Sequence, residues 1–168
     1  QAEDGIRDVE RSRGLGDVYK RQDKSSPFLR SIIINKGSKQ KINLGMAVMD
    51  GAYIVGKVVE VNYLSSRILL LSDLNSKIPV IIEPNAVFSI LSGTGKDYGV
   101  IQYSKKYEDI KNESVIYTSG AGNLFKAGIP IGRMNLNNLN DEKKVEFFSD
   151  FSQLKFVKVV SFKKSENE

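Results

Sequence analysis

The chain has no histidine, no cysteine and no tryptophan, and only four prolines among its 168 residues. Without histidine, neither a Ser-His-Asp nor a Cys-His catalytic arrangement can be assembled, and imidazole metal sites are excluded. Without cysteine there is no thiol nucleophile, no zinc-thiolate site and no disulfide. No apolar run is long enough to cross a membrane, and no charged-then-apolar stretch reads as a secretory leader. Acid and base are nearly balanced, with a net charge of +5. The lysines stand singly or in pairs, which reads as a solvated face and not as a nucleic-acid footprint. No nucleic-acid partner is expected.

What is present divides into two unlike parts. Residues 1–22 carry four Arg and one Lys, whereas residues 23–168 carry three Arg and 17 Lys and are rich in Ile and Asn. Lys, Asn and Ile have AT-rich codons, so the second part reads as the product of an AT-rich genome and the first does not. Back-translation sharpens the contrast. Asp17-Val18-Tyr19-Lys20-Arg21-Gln22 can be encoded by GATGTGTATAAGAGACAG, which resembles the transposase mosaic end of sequencing libraries. The stretch from Gln1 to Asp8 can be encoded by CAAGCAGAAGACGGCATACGAGAT, which resembles the flow-cell end of the same adapter. Residues 1–22 are therefore expected to be a non-native, adapter-like segment that contributes nothing to the core. The native sequence then starts at Asp23, and its upstream portion is expected to be missing.

From Phe28 onward the pattern is β. Runs rich in Ile and Val fall at 31–35, 46–49, 53–61, 67–71, 78–82, 87–91, 99–103, 115–117, 129–134, 145–148 and 154–162, separated by Gly, Asn, Asp and Ser. Most are four to nine residues long, the spacing of an all-β sandwich or barrel. Only residues 105–112 offer a helical turn. Ile54-Val55-Gly56-Lys57-Val58 echoes Pro130-Ile131-Gly132-Arg133-Met134, which suggests two related barrels. Both ends of the native part are strongly apolar, and termini of a domain often lie close together. The expected organisation is a discontinuous first barrel from residues 23–55 plus 112–162, a second barrel inserted at 56–111, and a flexible tail at 163–168. Gly56, Gly93, Gly120 and Gly132 are expected to hold turns or bulges that only glycine allows.

Two motifs resemble cofactor sites and fail on inspection. Gly93-Thr94-Gly95-Lys96 resembles the end of a phosphate-binding loop, but Ile90 replaces the first glycine and Asp97 replaces the magnesium-binding hydroxyl. Gly120-Ala121-Gly122 opens like a dinucleotide fingerprint, but Phe125 stands at the third glycine. The acidic pairs Glu108-Asp109 and Asp141-Glu142 sit in polar stretches where nothing would raise a carboxyl pKa. No catalytic residue, metal ligand or cofactor is expected. The segment 118–130 sets Leu124, Phe125 and Ile129 among glycines. These three are the candidate partner-binding residues, because exposed apolar patches mark partner sites. The other reading, and the blander one, is that Leu124 and Phe125 plug one end of a barrel.

The order of short motifs resembles a known family. Asn35-Lys36-Gly37-Ser38, Leu44-Gly45-Met46 and Gly56-Lys57-Val58-Val59-Glu60-Val61 are similar to the opening of the β domain of the MreC family of rod-shape proteins. Ser65-Ser66-Arg67, Leu69-Leu70-Leu71, Asp73, Asn75-Ser76, Pro79-Val80 and Leu91-Ser92-Gly93-Thr94-Gly95 follow in the family's order. Thr118-Ser119-Gly120, Gly128-Ile129-Pro130-Ile131-Gly132-Arg133 and Asp150-Phe151-Ser152-Gln153-Leu154 complete it. The resemblance covers about residues 29–162. It departs at loops: Glu113-Ser114 stand where the family commonly has Gly-Asp, and Lys126-Ala127 where a proline is frequent.

This resemblance implies two small β-barrels somewhat like those of chymotrypsin-type proteases. It implies a non-catalytic scaffold of the cell-wall elongation complex that controls rod shape. It further implies self-association into a homo-oligomer and binding to a class B penicillin-binding protein, with MreD, RodA and the actin-like MreB as further partners. The full-length parent would sit on the periplasmic side of the inner membrane, held by one upstream helix. Two other classes remain open on the residues alone. A degenerate hydrolase would need a serine beside a buried lysine, and an oligonucleotide-binding barrel would need a basic groove with exposed aromatics.

Overall fold

A computed structural model describes residues 15–19, 30–102, 110, 112–123, 125–135 and 143–162. The expected helical turn at 105–112 and the tail at 163–168 fall largely or wholly outside these residues. Twelve strands are described: β1 (Leu15–Tyr19), β2 (Ser31–Ile34), β3 (Ala47–Asp50), β4 (Tyr53–Val61), β5 (Ser66–Leu70), β6 (Lys77–Glu83), β7 (Val87–Gly93), β8 (Tyr98–Gln102), β9 (Val115–Thr118), β10 (Pro130–Asn135), β11 (Lys144–Phe147) and β12 (Phe156–Val160). Among the described residues the other elements are the 3-10 turns Ser38–Gln40 and Ala121–Asn123. The protein is all-β, as expected.

The strands form two closed rings. Ring one runs β1-β12-β3-β4-β5-β2, and ring two runs β10-β11-β8-β7-β6-β9. Every neighbouring pair is antiparallel. Alternation drives the closure. In β2 and β5 every second residue is buried, placing Ile32, Ile34, Ile68 and Leu70 inside ring one. In β6 the same period buries Ile78, Val80 and Ile82 inside ring two, as a half-buried strand requires.

The ring boundaries differ from those expected. All of β4 and β5 lies in ring one, although residues from 56 were assigned to the second barrel. Strands β9, β10 and β11 lie in ring two, although residues from 112 were assigned to the first. The physical reason is that Gly56 bends a continuous strand and does not end it. β4 carries on through nine residues and pairs β3 on one side and β5 on the other.

Residues 1–22 also depart from expectation. β1 lies within them and closes ring one, pairing β12 at Leu15–Asp17 and β2 at Val18 and Tyr19. Without it, β2 and β12 would be open edges. Unpaired strand edges present donors and acceptors that accept almost any extended segment, because ladder hydrogen bonds belong to the backbone. Adapter-like coding therefore does not prevent this stretch from filling the gap.

The echoed strands are equivalent in detail. In β4 the register shifts so that Val48 faces Gly56 and Met49 faces Ile54, leaving Val55 as an extra residue. In β10, Tyr117 faces Pro130 and Ile116 faces Gly132, leaving Ile131 extra. The carbonyl of Val55 accepts the Leu71 N–H, and that of Ile131 accepts the Phe148 N–H, both at 3.0 Å. A Cβ on Gly56 would lie 2.3 Å from the Leu69 carbonyl oxygen, and one on Gly132 would lie 2.1 Å from that of Glu146. Each ring thus has a β-bulge followed by a glycine that its neighbour strand touches.

The repeat extends beyond these strands. After β5 the sequence Leu71-Ser72-Asp73-Leu74 matches Phe148-Ser149-Asp150-Phe151 after β11. Asp73 Oδ1 accepts the Asn75 N–H at 2.7 Å, and Asp150 Oδ1 accepts the Ser152 N–H at 2.9 Å. β4 and β10 are also the strands through which the rings meet. Ile54, Val55 and Gly56 are buried in succession, and so are Ile131 and Gly132, as strands covered on both faces are.

Replacing Gly56 or Gly132 with alanine drives a methyl group into a backbone carbonyl that is itself held in a ladder. Each substitution is expected to cost about 2–3 kcal/mol. Denaturant unfolding of each single variant checks this, and a change below about 0.5 kcal/mol contradicts the assigned role.

Candidate partner-binding surface

The loop from Thr118 to Pro130 closes on itself. Thr118, fully buried, donates its hydroxyl to the Lys126 carbonyl at 2.6 Å and accepts the Ile129 N–H at 3.0 Å. Its backbone N–H donates to the Ile129 carbonyl and its carbonyl accepts from Gly128 N–H. Ser119 N–H reaches back to the Pro79 carbonyl on β6. Gly120, Gly122 and Gly128 all have positive φ, between 71° and 84°, the left-handed region that favours glycine. These turns fold the loop back, so Phe125 enters the core with 5% exposure and Ile129 is buried beside it. Leu124 lies outside the described residues.

Phe125 and Ile129 therefore do not form an exposed patch. The glycines direct the large side chains inward, and the plug reading fits. The expected acidic pairs at 108–109 and 141–142 also lie outside the described residues. Gly93 and Gly120 are constrained in different ways. A Cβ on Gly93 would lie 2.0 Å from the Asp73 carbonyl oxygen, whereas Gly120 is held by its φ of 75°.

The apolar groups that do reach solvent are elsewhere, and composition alone did not mark them. Leu44, Val59, Tyr63 and Leu64 are exposed at one end of ring one, Phe88 on β7, and Phe156 on β12. Tyr53 and Phe148 are also exposed and meet at the junction of the rings, tilted by 42° with centroids 5.1 Å apart. A signal for Tyr63 and Leu64 was available in the sequence. They sit at the turn between two long β runs, where a hairpin tip has nothing to pack against.

Charges mark the same surfaces. Glu60 and Arg67 face each other across β4 and β5 and bond at 3.0 Å. That hydrogen bond, a second from Asn62 and the Arg67 charge hold the Glu60 carboxyl below its ordinary pKa range. Lys96 and Lys144 lie over the Tyr98 ring, at 5.9 and 4.8 Å from its centroid. The passage between rings is held by Asp73, which is fully buried. Its Oδ2 accepts the Arg30 N–H at 2.6 Å, so the buried carboxylate is satisfied by backbone donors. The Arg30 guanidinium then reaches the β7–β8 turn of ring two, donating to the Gly95 carbonyl at 2.8 Å and to Asp97 at 2.7 Å. Among the described residues no group of three or more acidic side chains is placed to hold a metal ion, and no helix is long and apolar enough to cross a membrane.

A pair of bulged, glycine-cornered rings with apolar and basic outer surfaces defines a double-barrel β domain. The chain matches the family described as rod shape-determining protein MreC, barrel core, over residues 21–161, and it belongs to that family. It is 30% identical over 138 residues to the cell shape-determining protein MreC of Cereibacter sphaeroides, covering 82% of this chain and 46% of that protein. To the Haemophilus influenzae protein of the same name it is 34% identical over 116 residues, covering 68% and 30%. The chain thus spans less than half the length of these curated relatives. Among solved structures it is similar to MreC from Pseudomonas aeruginosa, with a TM-score of 0.78, 26% identity, and 88% and 98% of the two chains covered. It shares its fold with a chain from a complex between a penicillin-binding protein and MreC of Helicobacter pylori, at TM-score 0.65 and 15% identity, covering 87% and 96%.

Phe125→Ser removes a buried aromatic and leaves a hydroxyl in an apolar pocket. A loss of about 3–5 kcal/mol is expected, read as a lowered denaturation midpoint. Unchanged stability would return Phe125 to the surface and contradict its placement.

Proposed function

We propose that this chain is the barrel core of a non-catalytic scaffold in the bacterial cell-wall elongation complex. It controls rod shape by associating with copies of itself and by binding a class B penicillin-binding protein. The observation that carries this reading is that the family match runs through both rings, from residue 21 to residue 161, and does not rest on one local motif. The complex that includes the Helicobacter pylori protein supports the choice of a penicillin-binding protein as partner. MreD, RodA and MreB are further partners on the strength of family membership. In the full-length parent the barrels lie on the periplasmic side of the inner membrane, behind a single upstream membrane helix.

Scaffolding suits the chemistry of the chain. A chain without histidine or cysteine has few routes to an activated nucleophile, whereas two rigid barrels offer wide, preorganised surfaces for docking. The test uses the natural full-length parent. Tagged and solubilised from its own membranes, it is expected to bring down a class B penicillin-binding protein, and its depletion is expected to turn rods into spheres. A parent whose depletion leaves rods unchanged, and which captures no penicillin-binding protein, overturns the reading.

A further inference from the structure

One end of ring one gathers features found together nowhere else among the described residues. At the β4–β5 hairpin tip, Tyr63 is 66% exposed and Leu64 56% exposed. The 3-10 turn Ser38–Gln40 lies across that tip. Ser38 N–H donates to the Asn62 carbonyl at 2.9 Å, and Lys39 N–H donates to the Tyr63 carbonyl at 3.1 Å. Gly37 lets the two backbones approach, since a Cβ there would lie 2.1 Å from the Asn62 carbonyl oxygen. Further along, Gly45 N–H donates to the Val58 carbonyl, which sets Leu44, 63% exposed, beside the bulged Val59, 37% exposed.

Charge frames this apolar strip on one side of the scale. Lys36, Lys39 and Lys41 all belong to the loop across the tip. Glu60 is the single acid in segments 36–46 and 58–66, and Arg67 neutralises it. These two segments therefore present an aromatic and three aliphatic side chains beside three lysines, with no acid among them except the paired Glu60. We propose that this end of ring one docks on an anionic lipid bilayer surface. Tyr63 and Leu64 dip into the headgroup boundary while the lysines meet the lipid phosphates. Tyrosine at an interface keeps its hydroxyl wet and buries its ring. Lysine stems lie along apolar surface and leave the ammonium in the headgroup layer. Basic residues near an anionic surface and apolar residues inserted into it act together, each too weak alone.

The experiment is flotation of the full chain with vesicles of phosphatidylcholine, or of phosphatidylcholine and phosphatidylglycerol in equal parts. Binding is expected to the anionic vesicles, and it is expected to fall as salt rises. The double variant Lys39→Glu/Lys41→Glu is expected to lower the partition about tenfold or more. Tyr63→Ser/Leu64→Ser is expected to lower it about tenfold. All four positions are exposed, so melting temperatures stay at that of the parent chain. Phe88→Ser removes a side chain equally exposed at 65% but on ring two, and it is expected to bind as the parent does. No binding to anionic vesicles overturns the proposal and leaves the strip to a protein partner. So does undiminished binding by the Tyr63/Leu64 variant, which would reduce the effect to net charge, or an equal loss with Phe88→Ser.

Discussion

A six-stranded ring is small, and it closes where a strand bends sharply over a neighbour. In both rings that bend is a bulged residue followed by a glycine whose missing side chain leaves room for a carbonyl oxygen. Val55-Gly56 does this in β4 and Ile131-Gly132 in β10. The bulge turns a carbonyl out of the strand ladder, and the N–H of the residue following the next strand of that ring takes it. Bending, closure and the exit of the chain from each ring are thus one local arrangement, used twice. It also decides where the rings touch, because the two bent strands are those that meet.

From that seam the remaining order follows. The chain leaves ring one through Leu71, Ser72 and Asp73 and returns from ring two through the matching Phe148, Ser149 and Asp150. Asp73 holds the crossing by binding the Arg30 backbone, and the Arg30 side chain then grips the β7–β8 turn of ring two. A bent strand pair, a buried carboxylate and a guanidinium clasp lie across the junction, so the double barrel presents its outer surfaces in fixed relation. That is what a docking scaffold needs, since preorganised surfaces spend less free energy on ordering when they bind.

Much of this was legible in the sequence, and the illegible part has a common cause. The strand runs at 53–61 and 78–82 were readable because β-branched residues crowd between turn signals, and Asp50-Gly51 marked its hairpin, with Gly51 at φ 57°. The glycine echo pointed to equivalent bends. What sequence could not show was which ring each strand joins, because pairing is non-local. β9 and β6 bond across more than thirty residues, and nothing in either segment names the other. The repeated Leu71-Ser72-Asp73 and Phe148-Ser149-Asp150 carry the echo past the glycines and mark the ring boundaries. Phe125 stayed open between plug and partner site because loop composition is silent on direction. The same glycines could turn an aromatic outward, and here the Thr118 hydroxyl pulls the loop closed and the ring goes in. β1 misled for the opposite reason, since edge pairing depends on backbone and not on origin.

The claim that the two rings form one rigid body is open to direct measurement. Residual dipolar couplings of backbone amides, collected in one alignment medium, give an alignment tensor for ring two from residues 77–147 and another for ring one from residues 31–70 and 156–160. A clasped seam requires the two tensors to agree in magnitude and orientation. Tensors of different magnitude would show the rings moving independently and would contradict the account.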